Sequence, residues 1–338
     1  MRRLNLGVCG LKKSNLIIEE SVYMIKIGVV SLDVSHPLGF AEEMEKYCMD
    51  MKYEYLCNKS FRKEDESSWF VKRFGLKGEV GEIEEMVDKV DVGFIQSCNW
   101  EKHLDQAFPF IKAGKPVFID KPIVGNVKDA VRLKELVKNG AKIIGSSSAR
   151  YADEIQAFLK KPVSERGEIL SIFGTCGVDA FNYSIHIAEI LSELAGANAV
   201  EMQFLGESKT VDGKKTESYS IKYENGVLAS YQTCIGAWRP FHLTVMTTTG
   251  SFQIVIDSSK IYASLLREIY KNLTGKANKI KDVDTLINSC LIMMCGKKSR
   301  DELNGAKVKI EQLTDTDGFD GYAFEKTYGA NSSKMYKD

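Results

Sequence analysis

The chain has 338 residues, of which 44% are hydrophobic, and its 46 Lys and Arg residues balance its 46 Asp and Glu residues. A chain of this length predicts about two domains, and a net charge of zero without a basic run argues against a nucleic-acid partner. No apolar run approaches the roughly 18 residues of a membrane-spanning helix.

Short apolar runs alternate with helical patterns along the first half of the chain. The predicted strands and helices alternate in the order 25–31, 37–47, 53–57, 69–74, 90–96, 103–113, 116–119, 127–139 and 142–145. Such alternation is typical of right-handed crossovers in a parallel sheet that helices cover on both faces. We therefore predict an α/β, doubly wound Rossmann domain over residues 24–145.

The pattern changes in the second half, where consecutive strands follow one another with tight-turn signals. A strand at 167–175 and a helix at 181–194 precede five predicted strands, which end near residue 256, and closing helices and a last strand end near residue 310. This order predicts an α+β domain with a mostly antiparallel or mixed sheet over residues 146–310. Residues 1–23 form a predicted N-terminal extension, and residues 311–338 a C-terminal segment without an assigned role.

Ligands of open parallel sheets bind beyond the carboxyl ends of the strands. A dinucleotide-binding turn carries G-x-G-x-x-G there, but the first turn has Ser31, Asp33 and His36 at the three glycine positions. One interpretation is a capped helix start, with Asp33 or Ser35 as the N-cap. The other is a modified dinucleotide turn in which a protonated His36 offsets the charge of Asp33.

Polar residues also follow the next strands. Asn58 and Lys59 come after the second strand, where an NAD site normally has an acid on the ribose. Lys59 suits a 2′-phosphate and favours NADP, although a solvated lysine explains it as well. Ser97, Asn99 and His103 follow the third strand and are predicted to contact the cofactor, with His103 also anchoring its helix.

The most specific motif is AGKPVFIDKP at residues 113–122, which stands behind residues 99–103. It resembles the Gfo/Idh/MocA oxidoreductase family, the group that includes glucose-fructose oxidoreductase and inositol dehydrogenase. Those proteins carry T-P-N-x-x-H followed by A-G-K-x-V-x-x-E-K-P, and Asp120 replaces the usual Glu. The resemblance extends over residues 24–310 and implies a cis peptide bond between Lys121 and Pro122.

The resemblance implies a Rossmann domain that binds NAD or NADP, a second domain that receives a sugar-like substrate, and hydride transfer in the cleft between them. Lys121 matches the family lysine and His186 its histidine, whereas Asn182 stands where the family has Asp. Asp120 and Lys121 are accordingly expected at the cofactor.

The chemistry of these residues supports the same assignment. A histidine can exchange the hydroxyl proton of a carbinol near neutral pH, and Lys121 can stabilise the developing alkoxide. We therefore predict Lys121, His186 and Asn182 as catalytic residues, with Asn182 orienting the imidazole or the substrate. The alternative for His186 is a satisfied histidine of the core.

Four further residues are predicted to bind the substrate. Asp179 and Tyr183 share the polar face of the predicted helix with Asn182 and His186, and Arg150 and Tyr151 follow the crossover into the second domain. An interdomain salt bridge explains Arg150 nearly as well.

The leading hypothesis is an NAD(P)-dependent oxidoreductase acting on a sugar, polyol or sugar derivative, without a metal. A redox-neutral, NAD-assisted enzyme and an inactive ligand-binding or regulatory protein are the alternatives, and the missing glycines favour the last. Eight scattered cysteines without a C-x-x-C pair suggest a reducing, cytoplasmic compartment. Family analogy suggests a homo-dimer or homo-tetramer.

Overall fold

The computed structural model describes residues 23–145, 147–333 and 335–337. Nearly all of the predicted N-terminal extension therefore lies outside the described residues, as does Ser146 at the predicted domain boundary. The division into domains stays a prediction, and the two sheets are described here in turn.

The first half forms a six-stranded parallel sheet in the order β3-β2-β1-β4-β5-β6. Its strands are β1 (Ile25–Val30), β2 (Met51–Cys57), β3 (Gly78–Glu79), β4 (Val92–Ile95), β5 (Val117–Ile119) and β6 (Ile143–Ile144). The helices between them are α1 (His36–Lys46), α2 (Glu64–Phe74), α3 (Glu84–Val87), α4 (His103–Lys112) and α5 (Val127–Lys138). The order reverses between β1 and β4, so the predicted doubly wound topology is confirmed.

The second half builds a seven-stranded mixed sheet in the order β12-β11-β7-β10-β9-β8-β13, in which β7 and β10 run parallel. Its strands are β7 (Ile169–Val178), β8 (Ala199–Glu207), β9 (Lys215–Tyr223), β10 (Leu228–Ile235), β11 (His242–Thr247), β12 (Ser251–Val255) and β13 (Val308–Lys309). The helices of this half are α6 (Asp153–Lys160), α7 (Val163–Arg166), α8 (Ile185–Ala195), α9 (Ile261–Leu273), α10 (Val283–Asp301) and α11 (Gly321–Asn331). The predicted fold class is confirmed.

Helix α8 is central to the packing, since every one of its residues is buried. It contacts β7 on the second sheet, α10, and the short 3-10 helix at Ser148–Tyr151 that leaves the first sheet. A side chain near the start of α8 can therefore reach a space bordered by both sheets.

One local prediction needs correction. The helix predicted from residue 181 begins at Ile185, because the Asp179 carboxylate accepts hydrogen bonds from the backbone N–H of Phe181 and of Tyr183, both at 2.9 Å, and holds a turn there. The C-terminal segment, to which the sequence assigns no role, contains α11. Among the described residues, no helix has both the length and the apolar character to cross a membrane.

Candidate active site

A cavity of about 780 Å³ opens at the carboxyl edge of the first sheet, facing α8 and the second sheet. The turn after β1 and the residue after β5 border it on one side, and the turn before α8 borders it on the other. The side chains that concern the chemistry are those of His36, Lys121, Asp179, Asn182, Tyr183 and His186.

Lys121 reaches this cavity from the end of β5, and its peptide bond to Pro122 is cis, as the resemblance implies. Its ammonium donates to the carbonyl oxygen of Asn182 at 3.0 Å and to its Oδ1 at 3.1 Å. Burial lowers the pKa of Lys121, and the nearby carboxylates of Asp120 and Asp179 oppose that shift. In such a low-dielectric site an ammonium interacts strongly with a developing negative charge.

His186, in the first turn of α8, borders the same cavity. Its Nδ1 lies 2.6 Å from Oγ of Ser147, and the ring packs edge-on against Tyr183 and Phe241. Burial lowers the pKa of His186 well below its usual range, and the charge of Lys121 adds to the effect. The imidazole is therefore neutral at physiological pH.

His36 stands on the opposite wall, at the start of α1. Its Nδ1 lies 2.7 Å from Oδ2 of Asp120, whose Oδ1 accepts the backbone N–H of Lys121 at 2.7 Å. Burial alone would raise the pKa of Asp120, but His36 and Lys121 outweigh it and lower that pKa. Asp120 therefore remains a carboxylate that holds the imidazole in a fixed orientation.

The turn ahead of α8 brings three of the predicted residues to the cavity. Asn182 anchors Lys121, and the hydroxyl of Tyr183 accepts a hydrogen bond from Nε1 of Trp238 at 2.8 Å. One oxygen of Asp179 is engaged by backbone N–H groups of the turn, so its carboxylate shapes the turn as well as bordering the cavity.

Arg150 and Tyr151 are not among the residues that line the cavity. Arg150 is completely buried and donates to Glu189 at 2.9 Å, to Glu193 at 3.3 Å and to Ser289 at 3.2 Å. These three contacts engage the guanidinium, so the structure agrees with the salt-bridge alternative for Arg150. The buried hydroxyl of Tyr151 likewise lies within hydrogen-bond distance of a backbone carbonyl.

The turn after β1 keeps a Rossmann-like backbone without glycine. Ser31, at the first glycine position, has a φ of 69°, in the left-handed region that glycine usually supplies. Its hydroxyl accepts from Ser97 at 3.2 Å. Asp33 is buried and accepts the backbone N–H of Cys98 at 2.7 Å through Oδ2, and Ser35 precedes α1 without a side-chain capping bond. Burial raises the pKa of Asp33.

Residues beyond β2 and β4 follow the same edge. The Nζ of Lys59 lies 2.8 Å from a carboxylate oxygen of Glu82, so its charge is already paired, and the preference for NADP stays a prediction. Asn99 donates to Glu325 at 3.0 Å, and His103 is buried with Nε2 2.9 Å from the carbonyl oxygen of Ser97. The last contact anchors α4 to the end of β4.

The C-terminal segment covers part of this edge. The guanidinium of Arg62 donates to the carbonyl oxygens of Leu32 at 3.3 Å, Asp33 at 3.0 Å and Ser333 at 2.9 Å. The buried Tyr336 donates its hydroxyl to the carbonyl oxygen of Val34 at 2.7 Å. Ser333 and Tyr336 therefore lie across the turn where a dinucleotide of a Rossmann fold carries its pyrophosphate.

The edge nonetheless offers groups that suit a dinucleotide. Oδ1 of Asp33 and Oδ1 of Asn58 are buried acceptors without a hydrogen-bond partner among the described residues, and ribose hydroxyls are donors. The cavity beside Lys121 and His36 is open to a nicotinamide ring. These residues fit the nicotinamide cofactor, provided that Ser333 and Tyr336 move away from the turn after β1.

Three potential metal ligands also come together here, since atoms of Asp33, Cys98 and Glu325 lie within 4.8 Å of one another. Both oxygens of Glu325 are occupied, one by Asn99 and the other by Lys102 at 2.7 Å. We assign no metal site to this group, and the predicted absence of a metal stays a prediction.

Sequence reasoning missed several residues of the cavity, and also Ser147, the partner of His186. Ser147 is one of three consecutive serines, and nothing in the sequence singles it out. Tyr262 on α9, with Phe324 and Tyr328 on α11, lines the cavity from segments far along the chain. No local pattern indicates their position, because only the tertiary packing brings these helices to the sheet edge.

The fold and the site together define a Rossmann-type protein in which a lysine at the sheet edge and a histidine of the facing helix share one cavity. Residues 42–147 match the model of the Gfo/Idh/MocA family, described as an oxidoreductase family with an NAD-binding Rossmann fold. The match confirms the resemblance found in the sequence. No curated protein matches the chain.

Solved structures share the fold over most of the chain. A probable dehydrogenase from Thermotoga maritima is 16% identical, with a TM-score of 0.73, over 86% of this chain and 100% of its own. A putative myo-inositol dehydrogenase from Sinorhizobium meliloti is 14% identical, with a TM-score of 0.73, over 85% and 99%. Scyllo-inositol dehydrogenase from Lactobacillus casei, solved with NAD(H) and scyllo-inositol, is 16% identical, with a TM-score of 0.70, over 86% and 100%.

Proposed function

We propose that the protein is an oxidoreductase that transfers hydride between a nicotinamide cofactor and a carbinol of a sugar, polyol or inositol-like compound. The observation that carries the proposal is the convergence of Lys121 and His186 on one cavity. The inositol dehydrogenases among the similar structures agree with it.

The cavity has the character of a site for a polyhydroxylated ring. Aromatic side chains, including Phe241 and Tyr262, offer flat apolar surface, and the polar groups of Asn182 and Tyr183 stand beside them. Pockets of this kind combine apolar contact with a few oriented polar groups that fix the ligand. We expect Lys121 to donate to the reacting oxygen of the substrate and Asn182 to keep the ammonium in place.

The bound nicotinamide ring would supply the hydride acceptor or donor, and the protein residues would handle charge and protons. Lys121 stabilises negative charge on the carbinol oxygen as its proton leaves. The packed aromatic wall around His186 keeps water from the reacting atoms. Whether NAD or NADP is used, the location of the protein and its oligomeric state stay predictions.

Titration of the full chain with NADH and NADPH, followed by their fluorescence, tests the proposal. We expect saturable binding of at least one of them, and turnover of some member of a panel of inositols, aldoses and polyols. Absence of binding at millimolar concentration would contradict the proposed function.

A ligand-binding or regulatory role is the second candidate, and the position of Ser333 and Tyr336 over the first turn favours it. On this alternative the protein recognises a sugar-like ligand without turning it over. Cofactor-independent binding of an inositol or a sugar, measured by calorimetry, together with no turnover in the presence of cofactor, would support it over the oxidoreductase.

A further inference from the structure

The oxidation of a carbinol releases one proton from its hydroxyl, and a nearby group must take that proton. Two imidazoles border the cavity, His36 on the side of the first sheet and His186 on α8. Their surroundings differ in the charge that each contacts, and this difference decides which of them can hold a proton.

Among the residues that the structure describes, no carboxylate forms a hydrogen bond or ion pair with His186, and its Nδ1 pairs with the hydroxyl of Ser147. The charged or chargeable groups that act on it are Lys121 and His36, both of which oppose its protonation. Its remaining ring contacts are with Tyr183 and Phe241. A proton placed on this ring would be a buried cation facing other cations, which is unfavourable.

His36 has the opposite surroundings. Its Nδ1 lies 2.7 Å from Oδ2 of Asp120, and that carboxylate is further held by the backbone N–H of Lys121 and by Nε2 of Gln96 at 3.5 Å. A carboxylate bound to one ring nitrogen fixes the tautomer and stabilises the imidazolium that forms when the other nitrogen takes a proton.

The second nitrogen of His36 is available. Among the described residues no hydrogen bond to its Nε2 occurs, and the ring lines the cavity. The ring packs between Phe40, stacked at 6.1 Å, and Tyr262, edge-on at 5.3 Å. The groups that face His36 are therefore Asp120 and Lys121 at the sheet edge, His186 on α8 and the phenol of Tyr262 on α9.

We propose that His36, oriented by Asp120, is the acid–base residue of the cavity, and that His186 orients the substrate as a neutral imidazole. In the oxidative direction the hydroxyl proton moves to Nε2 of His36. The C–H bond breaks with its electron pair leaving as hydride to an oxidised nicotinamide, and the carbinol becomes a carbonyl. The inference rests on the proposed function and reassigns its proton step.

The first test needs no turnover. Nitrogen-15 NMR of the cofactor-free full chain follows the protonation of its four histidines, which single His→Gln variants assign. We expect Nδ1 of His36 to carry the proton that it shares with Asp120, and Asp120→Asn to change the nitrogen-15 chemical shift of that nitrogen. An unchanged chemical shift of His36 Nδ1 in Asp120→Asn would overturn the role of Asp120.

The second test uses the pH dependence of turnover. His36→Gln is expected to lower kcat by about 10²–10⁴-fold with little change in KM and to remove the acid limb of the profile, whereas His186→Gln should raise KM and keep that limb. His242→Gln, at an exposed position of β11, is the matched control. An acid limb that persists in His36→Gln and is lost in His186→Gln would overturn the inference.

The proposed function and the assignment of the proton step to His36 can be tested separately. Failure of the wild-type chain to bind NADH and NADPH contradicts the proposed function, while the NMR titration still measures the pairing of His36 with Asp120. Binding and turnover with a proton step that follows His186 contradict this inference alone. Asp120→Asn serves as the second variant if His36→Gln does not fold.

Discussion

The side chain of Lys121 is held in one position by its hydrogen bonds. Its ammonium is buried and is held by the carbonyl and the amide oxygen of Asn182, so its position does not depend on a flexible aliphatic chain. Because burial lowers the pKa of Lys121, the charged form is lost at a lower pH than in an exposed lysine. The alkaline limit of turnover is therefore expected below about pH 10.4, the ordinary lysine value.

Substitution Lys121→Met tests this role, because methionine keeps much of the apolar stem and removes the charge. We expect kcat to fall by about 10²–10³-fold, the usual effect of losing one group that stabilises an oxyanion, with the alkaline limb removed. Steady-state kinetics across pH measure both effects. Lys112→Met, at an exposed position in the last turn of α4, should leave the kinetics unchanged, and an equal loss in both variants would contradict the assignment.

Two adjacent serines offer a matched test of the hydrogen bond to His186. Oγ of Ser147 lies 2.6 Å from Nδ1 of His186, whereas the buried Oγ of Ser148 has no partner among the described residues. Ser147→Ala leaves a buried nitrogen unpaired and should lower the free energy of unfolding by about 1–3 kcal/mol. Ser148→Ala should lower the free energy of unfolding by far less. Urea denaturation of both variants measures the difference, and equal losses would contradict this explanation.

At the scale of elements, the first sheet could be predicted because each buried parallel strand is an apolar run with turn residues at its end. The second sheet could be predicted from its hairpin turns. The start of α8 could not be predicted from the sequence, since the side chain of Asp179 holds residues 181–184 in a turn. Helix α11 could not be predicted either, because the residues that Glu325 of this helix contacts, Asn99 and Lys102, lie more than 200 residues away in sequence.

Part of the candidate site could likewise be predicted from the sequence, and part of it could not. The motif at residues 113–122 was sufficient to place Lys121, and the polar face predicted for the helix at 181–194 placed Asn182 and Tyr183 near it, although both lie in the turn before α8. The pairing of His36 with Asp120 joins residues 84 positions apart, and no local pattern encodes it. Arg150 was assigned to the substrate because sequence alone cannot show that three partners already engage its guanidinium.

The C-terminal segment gives a prediction at this scale. Ser333 contacts Arg62 and Tyr336 contacts the turn after β1, where the pyrophosphate of a dinucleotide lies in Rossmann folds. A chain that ends at Asn331 is expected to bind NADH about tenfold more tightly, which corresponds to about 1.4 kcal/mol for moving the segment. Fluorescence titration measures the change.

Tyr336→Phe is the matched variant, because it removes one hydrogen bond of 2.7 Å to Val34 and keeps the ring against Phe70. Tyr336→Phe should bind NADH with an affinity between that of the full chain and that of the shortened chain. Equal affinities of the full and shortened chains, with the thermal stability of both measured, would show that the segment does not compete with the cofactor.

At the scale of the whole molecule, the cavity depends on how the two sheets are joined. The crossover carries Ser147 and Arg150, and both contact Glu189 of α8, through the backbone N–H of Ser147 at 3.3 Å and through Nε of Arg150 at 2.9 Å. Helix α8 also carries His186. The same buried charges that hold the sheets together therefore set the distance between the two walls of the cavity.

Breaking this network tests that coupling. Glu189→Gln leaves the guanidinium of Arg150 without its main counter-charge in a fully buried site, and loss of one partner of a buried pair typically costs about 3–5 kcal/mol. We expect a decrease of that size in the free energy of unfolding, and a raised KM because the walls of the cavity shift. Glu135→Gln, exposed on α5, should change neither quantity.

The double variant Arg150→Met with Glu189→Gln separates two reasons for the loss. If the cost arises from an unpaired buried charge, removal of both charges should restore much of the stability, because a well-packed neutral pair can replace a buried ion pair. Its KM should remain high, since methionine cannot hold Glu193 and Ser289 as the guanidinium does. A double variant as unstable as Glu189→Gln would show that the hydrogen-bond geometry of the network, rather than its charge balance, joins the two sheets.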